Sequence, residues 1–244
     1  MDPSSVGNAG VNGAHPSSSA QSPSSDELMP IAIVGMSCRL PGDIHTTDEL
    51  WKMCSRGRNG WSEIPKGRFS KDAYYHPNPG KKGVHNAAGG HFLQDDLAHF
   101  DAALFNLTAA EATALDPQQR IMLEATFEAL ENAGISKSEV AGKTYGVFVG
   151  GYGHDYDLLN TKDTETTAMY HATGCSNSLL ANRVSYYFDM KGPSLTIDTA
   201  CSSSLTALHL ACQSLRSGES SAAVVGGVHL NIIPSTFITM SLQR

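Results

Sequence analysis

The cysteine at position 201 stands between a short strand pattern and a helical pattern. Residues 195–198 form an apolar run with the length and bounding of a buried strand. The helical pattern that follows stops at Gly218 and places four apolar residues on one face: Leu205, Leu208, Cys212 and Leu215. Because few small residues separate the two patterns, we expect a sharp strand-to-helix turn that raises the Cys201 side chain. The nucleophile elbow of the serine hydrolases follows the same logic.

A thiol in that position is suited to covalent acyl transfer. The unpaired N–H groups of a helix N-terminus favour a thiolate, and the backbone N–H of Cys201 can bind the oxyanion of a thioester under attack. The helix end contributes only about 0.3–1 kcal/mol, so a histidine or another cationic partner is needed to activate the thiol at neutral pH. The alternative is that Cys201 is a small buried hydrophobe, as free cysteines commonly are.

The histidines of the chain include no evident partner for this thiol. His209 lies eight positions after Cys201 on the same helical pattern, about 12 Å along the helix axis, whereas proton transfer requires about 3 Å. His229 follows a predicted strand and lies near Cys201 only if the fold brings it there. Four further histidines have spacings that suit no metal site, and we predict surface positions for them: His76, His85, His91 and His99.

Three further strands are predicted from apolar and β-branched runs. They cover residues 30–35, 145–151 and 222–228. The end of the second strand carries Gly150, Gly151 and Gly153, which indicate close approach of another backbone rather than a phosphate cradle, because the Lys and Ser/Thr of a P-loop do not follow.

Helix-start signals place the intervening helices. Residues 46–49 form a capping box for a short helix, in which Leu50 and Trp51 are predicted to face inward. A longer helix is predicted to begin after Asp116 and to end at Gly134. Its inward face is predicted to hold four residues: Ile121, Ala125, Leu130 and Ala133.

Composition limits the class of protein. With 244 residues, 41% of them hydrophobic, the chain can bury one sizeable core. A formal net charge of −7 argues against nucleic acid or an acidic membrane surface as a partner, and no apolar run approaches the length of a membrane span. Five cysteines without a C-x-x-C pair fit neither a disulfide framework nor a zinc ribbon, so we expect a reduced, cytoplasmic setting. Cys38 precedes a turn rather than a helix, and we interpret it as structural.

Two segments depart from the pattern of a compact domain. Residues 1–28 are rich in Ser, Gly and Pro and almost free of apolar side chains, so they are predicted to be a disordered tail. Residues 60–106 are long, rich in Gly, Pro and His, and have little periodicity. A connection of that length is usually functional or a partner surface.

Several long motifs resemble one family of enzymes. Residues 198–205, DTACSSSL, resemble the active-site signature of β-ketoacyl synthases, the condensing enzymes of fatty-acid and polyketide assembly. Three further stretches, residues 31–42, 115–134 and 181–189, resemble successive markers of type I polyketide synthases. Their order and spacing continue from about Pro30 to Arg244, and the opening resembles the fungal reducing enzymes most. Residues 29–244 are therefore identified as the N-terminal part of such a synthase domain.

The resemblance implies a fold, a site and a reaction. The fold would be α/β, the N-terminal half of a layered αβαβα thiolase-like domain and hence incomplete. Cys201 would be the acyl-thioester nucleophile, with its backbone N–H in the oxyanion hole, and Cys175 would line the acyl channel. The acyl chain would be extended by decarboxylative Claisen condensation with malonyl-carrier protein. Substrates would arrive on carrier-protein phosphopantetheine, with no cofactor bound directly and no metal.

The resemblance also implies partners. The chain departs from the family's pattern in one respect, its histidines. The partners would be an acyl carrier protein, a second copy of the synthase domain in a homodimer, and the remaining half of that domain. The family uses two histidines, in His-Gly-Thr-Gly and Asn-x-Gly-His contexts, and none of the ten histidines here stands in either context. We therefore expect this chain to be inactive alone. The alternatives are a non-catalytic dimerising or interaction fragment and a cysteine hydrolase, for which no motif is present.

Overall fold

The structure is a computed structural model that describes residues 29–78 and 80–243, so the predicted tail at 1–28 lies outside the described residues. The chain divides into two units, Met1–Pro30 and Ile31–Arg244, and all elements below belong to the second. The strands are β1 (Ser62–Glu63), β2 (Gly89–Gly90), β3 (Tyr145–Gly150), β4 (Ser194–Ile197) and β5 (Ala222–Gly227). The helices are α1 (Thr47–Ser55), α2 (Lys71–Tyr74), α3 (Ala109–Ala114), α4 (Pro117–Asn132), α5 (Lys137–Val140), α6 (Asp155–Asn160), α7 (His171–Cys175), α8 (Leu179–Phe188), α9 (Ser203–Arg216) and α10 (Ser235–Ser241), with a 3-10 turn at Thr164–Thr166.

A parallel sheet of order β4-β3-β5 organises this unit. The central strand β3 is buried from Gly146 to Gly150, and Val147 pairs with Ser194 on one side and Val224 on the other. The strands predicted at 145–151, 195–198 and 222–228 are therefore confirmed with small shifts of their ends. Because successive strands run parallel, each connection must cross back over the sheet, and helices supply those crossings.

Helices cover both faces of the sheet. Val147 and Val149 point to the face covered by α4 and α8, in a core that includes Met122 and Val184. The intervening Phe148 points to the opposite face, where it packs on small residues of α9. This layering of helix, sheet and helix confirms the predicted α/β class.

Helix α4 begins and ends where the sequence predicts. Asp116 caps it by accepting the backbone N–H of Gln118, Pro117 occupies its first position, and Gly134 follows it with a φ of +70°. Leu130 of the predicted inward face is buried, but the rest of the buried face beyond the first turn is displaced to Met122, Leu123 and Thr126. The displacement arises because α4 is packed on two sides. Ile121 contacts a separate cluster around Leu230 while Met122 faces the sheet.

The strand predicted at residues 30–35 is wrong. No strand is present there, and Ile33 is 73% exposed. The segment instead follows α4: a Cβ on Gly35 would overlap the Ala129 carbonyl, and Met36 N–H donates to Asn132 Oδ1 at 2.9 Å. Apolar β-branched residues form a strand only beside another strand, and no described strand lies next to this segment.

Two other predictions of burial are wrong, again because burial depends on segments that are distant in the chain. The capping box of α1 is present, but Trp51 is 73% exposed rather than inward, since no described element covers that side of the helix. His85 is fully buried instead of lying on the surface, with Nδ1 at 2.9 Å from the Ala87 carbonyl and the ring against Phe69 and Phe237. Sequence spacing contains no information about such distant contacts.

The apolar face predicted on α9 is present but lies on the side away from the sheet. The side facing the sheet carries small residues: Ser203, Ala207, Ala211 and Ser214. Leu205 is 69% exposed and Leu208 40% exposed. Small side chains let α9 approach the strands closely, which leaves its larger apolar residues at the surface of this chain.

None of the helices in the described ranges combines the length and the apolar character that a membrane crossing requires. All five cysteines are free thiols.

Candidate active site

A tight turn joins β4 to α9 and carries Cys201. The strand ends at Ile197 and the helix begins at Ser203. The reversal is made by Ala200, which has a φ of +55°, a left-handed conformation that non-glycine residues rarely adopt. The sharp strand-to-helix turn predicted around the thiol is therefore present, and Cys201 is exposed.

Hydroxyl groups hold this turn. The buried Ser203 hydroxyl accepts the Thr199 N–H at 2.9 Å and donates to the Ala200 carbonyl at 2.6 Å. Asp198 Oδ1 accepts the N–H of Ala200 at 3.0 Å from the strand side. The residue in the left-handed conformation is thus hydrogen-bonded through both its backbone groups, so the position of the next residue, Cys201, is set by the turn.

Glycines bring the start of α9 onto the ends of the strands. A Cβ on Gly150 would overlap the Ser204 backbone nitrogen, and one on Gly227 would lie 2.5 Å from Ser204 Cβ. The sequence prediction that Gly150 marks close backbone approach is confirmed. Since both strands end under Ser204, the first turn of α9 rests directly on the sheet edge where the thiol is raised.

The histidines considered in the sequence do not meet this thiol. Within residues 29–78 and 80–243, no hydrogen bond or ion pair joins Cys201 Sγ to a histidine. His229 stacks on Tyr152 with ring centroids 4.5 Å apart, and its Nε2 lies 3.3 Å from Asn231 Oδ1. His209 lies exposed on α9.

Polar residues at the start of α4 hold neighbouring backbone. Gln119 Nε2 donates to the Gly174 carbonyl at 2.8 Å, and Arg120 donates to the Leu115 carbonyl at 2.7 Å. Gln118 Nε2 donates to the carbonyl of Gly153, in the loop after β3, at 3.2 Å. These side chains therefore connect α4 to the segments on either side of the sheet edge.

Two cavities lie between α6, α7, α8 and β4. One, of about 310 Å³, is lined by Leu195 of β4 and by Asp198, which follows that strand on the way to Cys201. The other, of about 450 Å³, is lined by residues of α6 and α7, including Cys175. Asn177 and Ser178 line both cavities. Cys175 thus lines a cavity, and its role in an acyl channel remains a prediction.

A second thiol-containing cluster lies in the larger cavity and was not predicted. His171 Nε2 lies 2.8 Å from Asp157 Oδ1, and its Nδ1 lies 3.4 Å from Cys175 Sγ. Burial raises the pKa of the Cys175 thiol to about 12, and the charges of Asp116 and Asp157 add to that effect. His171 and Cys175 are four residues apart on one helical turn, a spacing that could have indicated their contact. Nothing in the sequence indicates the approach of Asp157.

The fold defines a class of protein, the ketosynthases with a thiolase-like fold, because solved structures of ketosynthase domains share it. A ketosynthase domain of the oxazolomycin synthase from Streptomyces albus matches with a TM-score of 0.78 and 37% identity, over 86% of this chain and 36% of that one. The module 6 ketosynthase of the bacillaene synthase from Bacillus subtilis matches with a TM-score of 0.76 and 36% identity, over 86% and 34% of the two chains.

The chain belongs to the β-ketoacyl synthase family: the family model described as "Beta-ketoacyl synthase, N-terminal domain" matches residues 29–244. Highly-reducing polyketide synthase 1 of Aureobasidium melanogenum is 60% identical over 217 residues, 89% of this chain and 10% of that protein. The compactin diketide synthase of Penicillium citrinum is 49% identical over 89% of this chain and 8% of its own length. The resemblance to fungal reducing polyketide synthases is thus confirmed, and the chain spans about a tenth or less of the curated relatives it matches.

Proposed function

We propose that this chain is part of a ketosynthase domain that loads a growing acyl chain onto Cys201. The observation that carries the proposal is the exposed thiol at the β4–α9 turn, next to Ala200 in its left-handed conformation. Such a turn exposes one side chain at a helix start and directs backbone N–H groups toward it. The names of the relatives, polyketide synthases and ketosynthase domains, agree with this chemistry.

Loading is a thioester exchange. The Cys201 thiol gives up its proton, and its sulfur attacks the carbonyl carbon of an acyl thioester carried on phosphopantetheine. A carbon–sulfur bond to Cys201 forms, the bond to the pantetheine sulfur breaks, and the released thiolate takes up the proton. The backbone N–H of Cys201 would stabilise the oxyanion of the tetrahedral intermediate.

Condensation then uses the loaded chain. Malonyl-carrier protein loses CO2, and the enolate carbon that remains attacks the acyl carbonyl on Cys201. A carbon–carbon bond forms, the carbon–sulfur bond to Cys201 breaks, and the thiol is restored by a proton. This step needs groups that polarise the malonyl thioester, which we assign to the rest of the synthase domain. We therefore expect only slow loading at neutral pH, because no histidine of the described residues contacts the thiol, and no condensation from this chain alone.

The remaining half of the domain, an acyl carrier protein and a second copy of the domain are the partners we propose. The exposed apolar residues of α9, Leu205 and Leu208, support packing against the remaining half. The same exposed face favours a second candidate function, a non-catalytic interaction fragment. The two candidates differ in whether Cys201 accepts an acyl group.

Acyl transfer to the full chain separates them. The chain is incubated with an acyl N-acetylcysteamine thioester, a small mimic of the phosphopantetheine ester, and its intact mass is measured over time. We expect one acyl adduct, lost in Cys201→Ala and retained in Cys54→Ala, which removes another exposed thiol. An unmodified wild-type chain, or an adduct that persists in Cys201→Ala, would overturn the proposal. Release of free acid instead of an adduct would indicate the cysteine hydrolase.

A further inference from the structure

The cluster in the larger cavity combines three types of metal ligand. Asp157 lies on α6, and His171 and Cys175 lie on α7, so the cluster spans two helices joined by residues 161–170. Their ligand atoms all lie within 4.8 Å of one another. Cys175 is buried, and the other two residues are half-buried. This group is outside the Cys201 turn and takes no part in the chemistry described above.

Hydrogen bonding orients the imidazole between its two neighbours. The Asp157 carboxylate can only accept, so His171 Nε2 carries the proton and donates to it at 2.8 Å. That tautomer leaves the lone pair of Nδ1 directed toward Cys175 Sγ, 3.4 Å away. In tetrahedral zinc sites, Zn–N distances of about 2.0 Å and Zn–S distances of about 2.3 Å place the two ligand atoms roughly 3.5 Å apart. The distance between Nδ1 and Sγ seen here matches the length of that edge.

We propose that Cys175 Sγ and His171 Nδ1 bind a thiophilic divalent cation, Zn²⁺, with Asp157 orienting the imidazole through Nε2. A carboxylate that accepts from the distal N–H of a metal-bound histidine fixes its tautomer and raises its basicity. The remaining coordination positions face the cavity of about 450 Å³ and are filled by water. On binding, the Cys175 thiol releases its proton to solvent and the sulfur binds the ion as a thiolate.

The surrounding charges favour a cation over a free thiolate. The Asp157 carboxylate is part of the cluster, and the buried Asp116 lies close enough for its charge to affect Cys175. A nucleophilic thiolate needs a positive environment, whereas these two carboxylates disfavour negative charge on the sulfur. A bound divalent ion would balance the negative charges of these two carboxylates. The same three residues could instead act as a Cys-His-Asp nucleophile, and the experiment below separates the two roles.

Cobalt substitution tests the site on the full chain. Co²⁺ is titrated into metal-free protein, thiolate-to-cobalt charge-transfer absorption is recorded, and Zn²⁺ is then added in competition. We expect one equivalent of Co²⁺, a charge-transfer band, and displacement by one equivalent of Zn²⁺. The band should be lost in Cys175→Ser and retained in Cys54→Ser, and the affinity should fall in His171→Ala but not in His99→Ala, a change at an exposed histidine.

Asp157→Asn distinguishes an orienting carboxylate from a passive neighbour. Loss of such an outer partner typically lowers metal affinity 10- to 100-fold, and the charge-transfer band should persist because the sulfur ligand remains. Zinc-edge X-ray absorption of the wild-type chain gives a measurement that depends on no variant folding. It should contain one sulfur at about 2.3 Å and nitrogen or oxygen at about 2.0–2.1 Å.

Two results would overturn the proposal. One is a chain that binds no Zn²⁺ at micromolar concentration, or binds it without a sulfur neighbour. The other is a charge-transfer band that survives Cys175→Ser. Acylation of Cys175 by the thioester probe in zinc-free protein, with no metal bound, would support the nucleophile instead.

Discussion

Gly150 at the end of β3 lies against Ser204 in the first turn of α9, with no room for a side chain between them. This contact joins the sheet edge to the helix that follows Cys201. It links the packing of the core to the position of the thiol, so a change in that packing should also change the reactivity of Cys201.

Gly150→Ala should displace the start of α9. The added methyl group would meet backbone atoms that cannot rotate away, so we expect the free energy of unfolding to fall by about 1–3 kcal/mol and acyl loading at Cys201 to slow. Denaturant titration and intact-mass kinetics measure the two effects. Gly67→Ala is the matched control, since nothing lies within 4 Å of the added atom, and its effect should stay within about 0.5 kcal/mol. Equal effects of the two changes would contradict the close contact.

Ser203→Ala should loosen the turn. The change removes the hydroxyl that accepts from Thr199 N–H and donates to the Ala200 carbonyl. Losing these two hydrogen bonds should cost about 0.5–1.5 kcal/mol of unfolding free energy, and loading should slow because the thiol is less firmly placed. Ser55→Ala, at an exposed serine of α1, provides the comparison. Unchanged loading by Ser203→Ala would show that the turn does not depend on this hydroxyl.

Substitutions at Ala200 test its left-handed backbone. A non-glycine residue there costs roughly 1–2 kcal/mol, so Ala200→Gly should leave the unfolding free energy equal or higher, while Ala200→Val should lower it by more than about 1 kcal/mol. Ala141 has an ordinary φ of −54°, and Ala141→Gly should destabilise by about 0.5–1 kcal/mol. Urea titration of the three variants decides the matter. Destabilisation by Ala200→Gly as large as that by Ala141→Gly would count against the assigned conformation.

Cys175 should resist alkylation in the metal-free chain near neutral pH. Burial, with the charges of Asp116 and Asp157, raises the pKa of this thiol to about 12, so at pH 8 only about one thiol in 10,000 is ionised. Its rate with iodoacetamide should therefore be at least 100-fold below that of exposed Cys54 and rise about tenfold per pH unit between pH 7 and 9. Peptide-resolved mass spectrometry follows each cysteine. Asp157→Asn removes one negative charge and should speed the reaction, and a wild-type rate equal to that of Cys54 would contradict the raised pKa.

Locally encoded features were predictable because the residues that make them are neighbours in the chain. The capping box of Thr46, the Asp116 cap and the Gly134 ending each need only one helical turn of sequence. The β4–α9 turn belongs to the same group: a short strand, a small-residue reversal and a helix define it within about ten residues. The motif around Cys201 is also long enough to indicate the family by itself.

Features that depend on distant partners were not predictable. Residues 30–35 have the composition of a strand, but a strand requires a neighbour, and here the segment follows α4 instead. His85 was expected at the surface, and its burial depends on Phe237, far along the chain. The contact of Asp157 with His171 likewise forms only when α6 and α7 pack together.

The sequence by itself determined the family, the position of the thiol at a strand-to-helix turn, and the order of the elements around it. Only the tertiary structure decided which side of α9 meets the sheet, and which acid and histidine accompany Cys175. The physical reason is that hydrogen bonds and backbone geometry act over a few residues, whereas burial and side-chain clusters arise from segments brought together by packing.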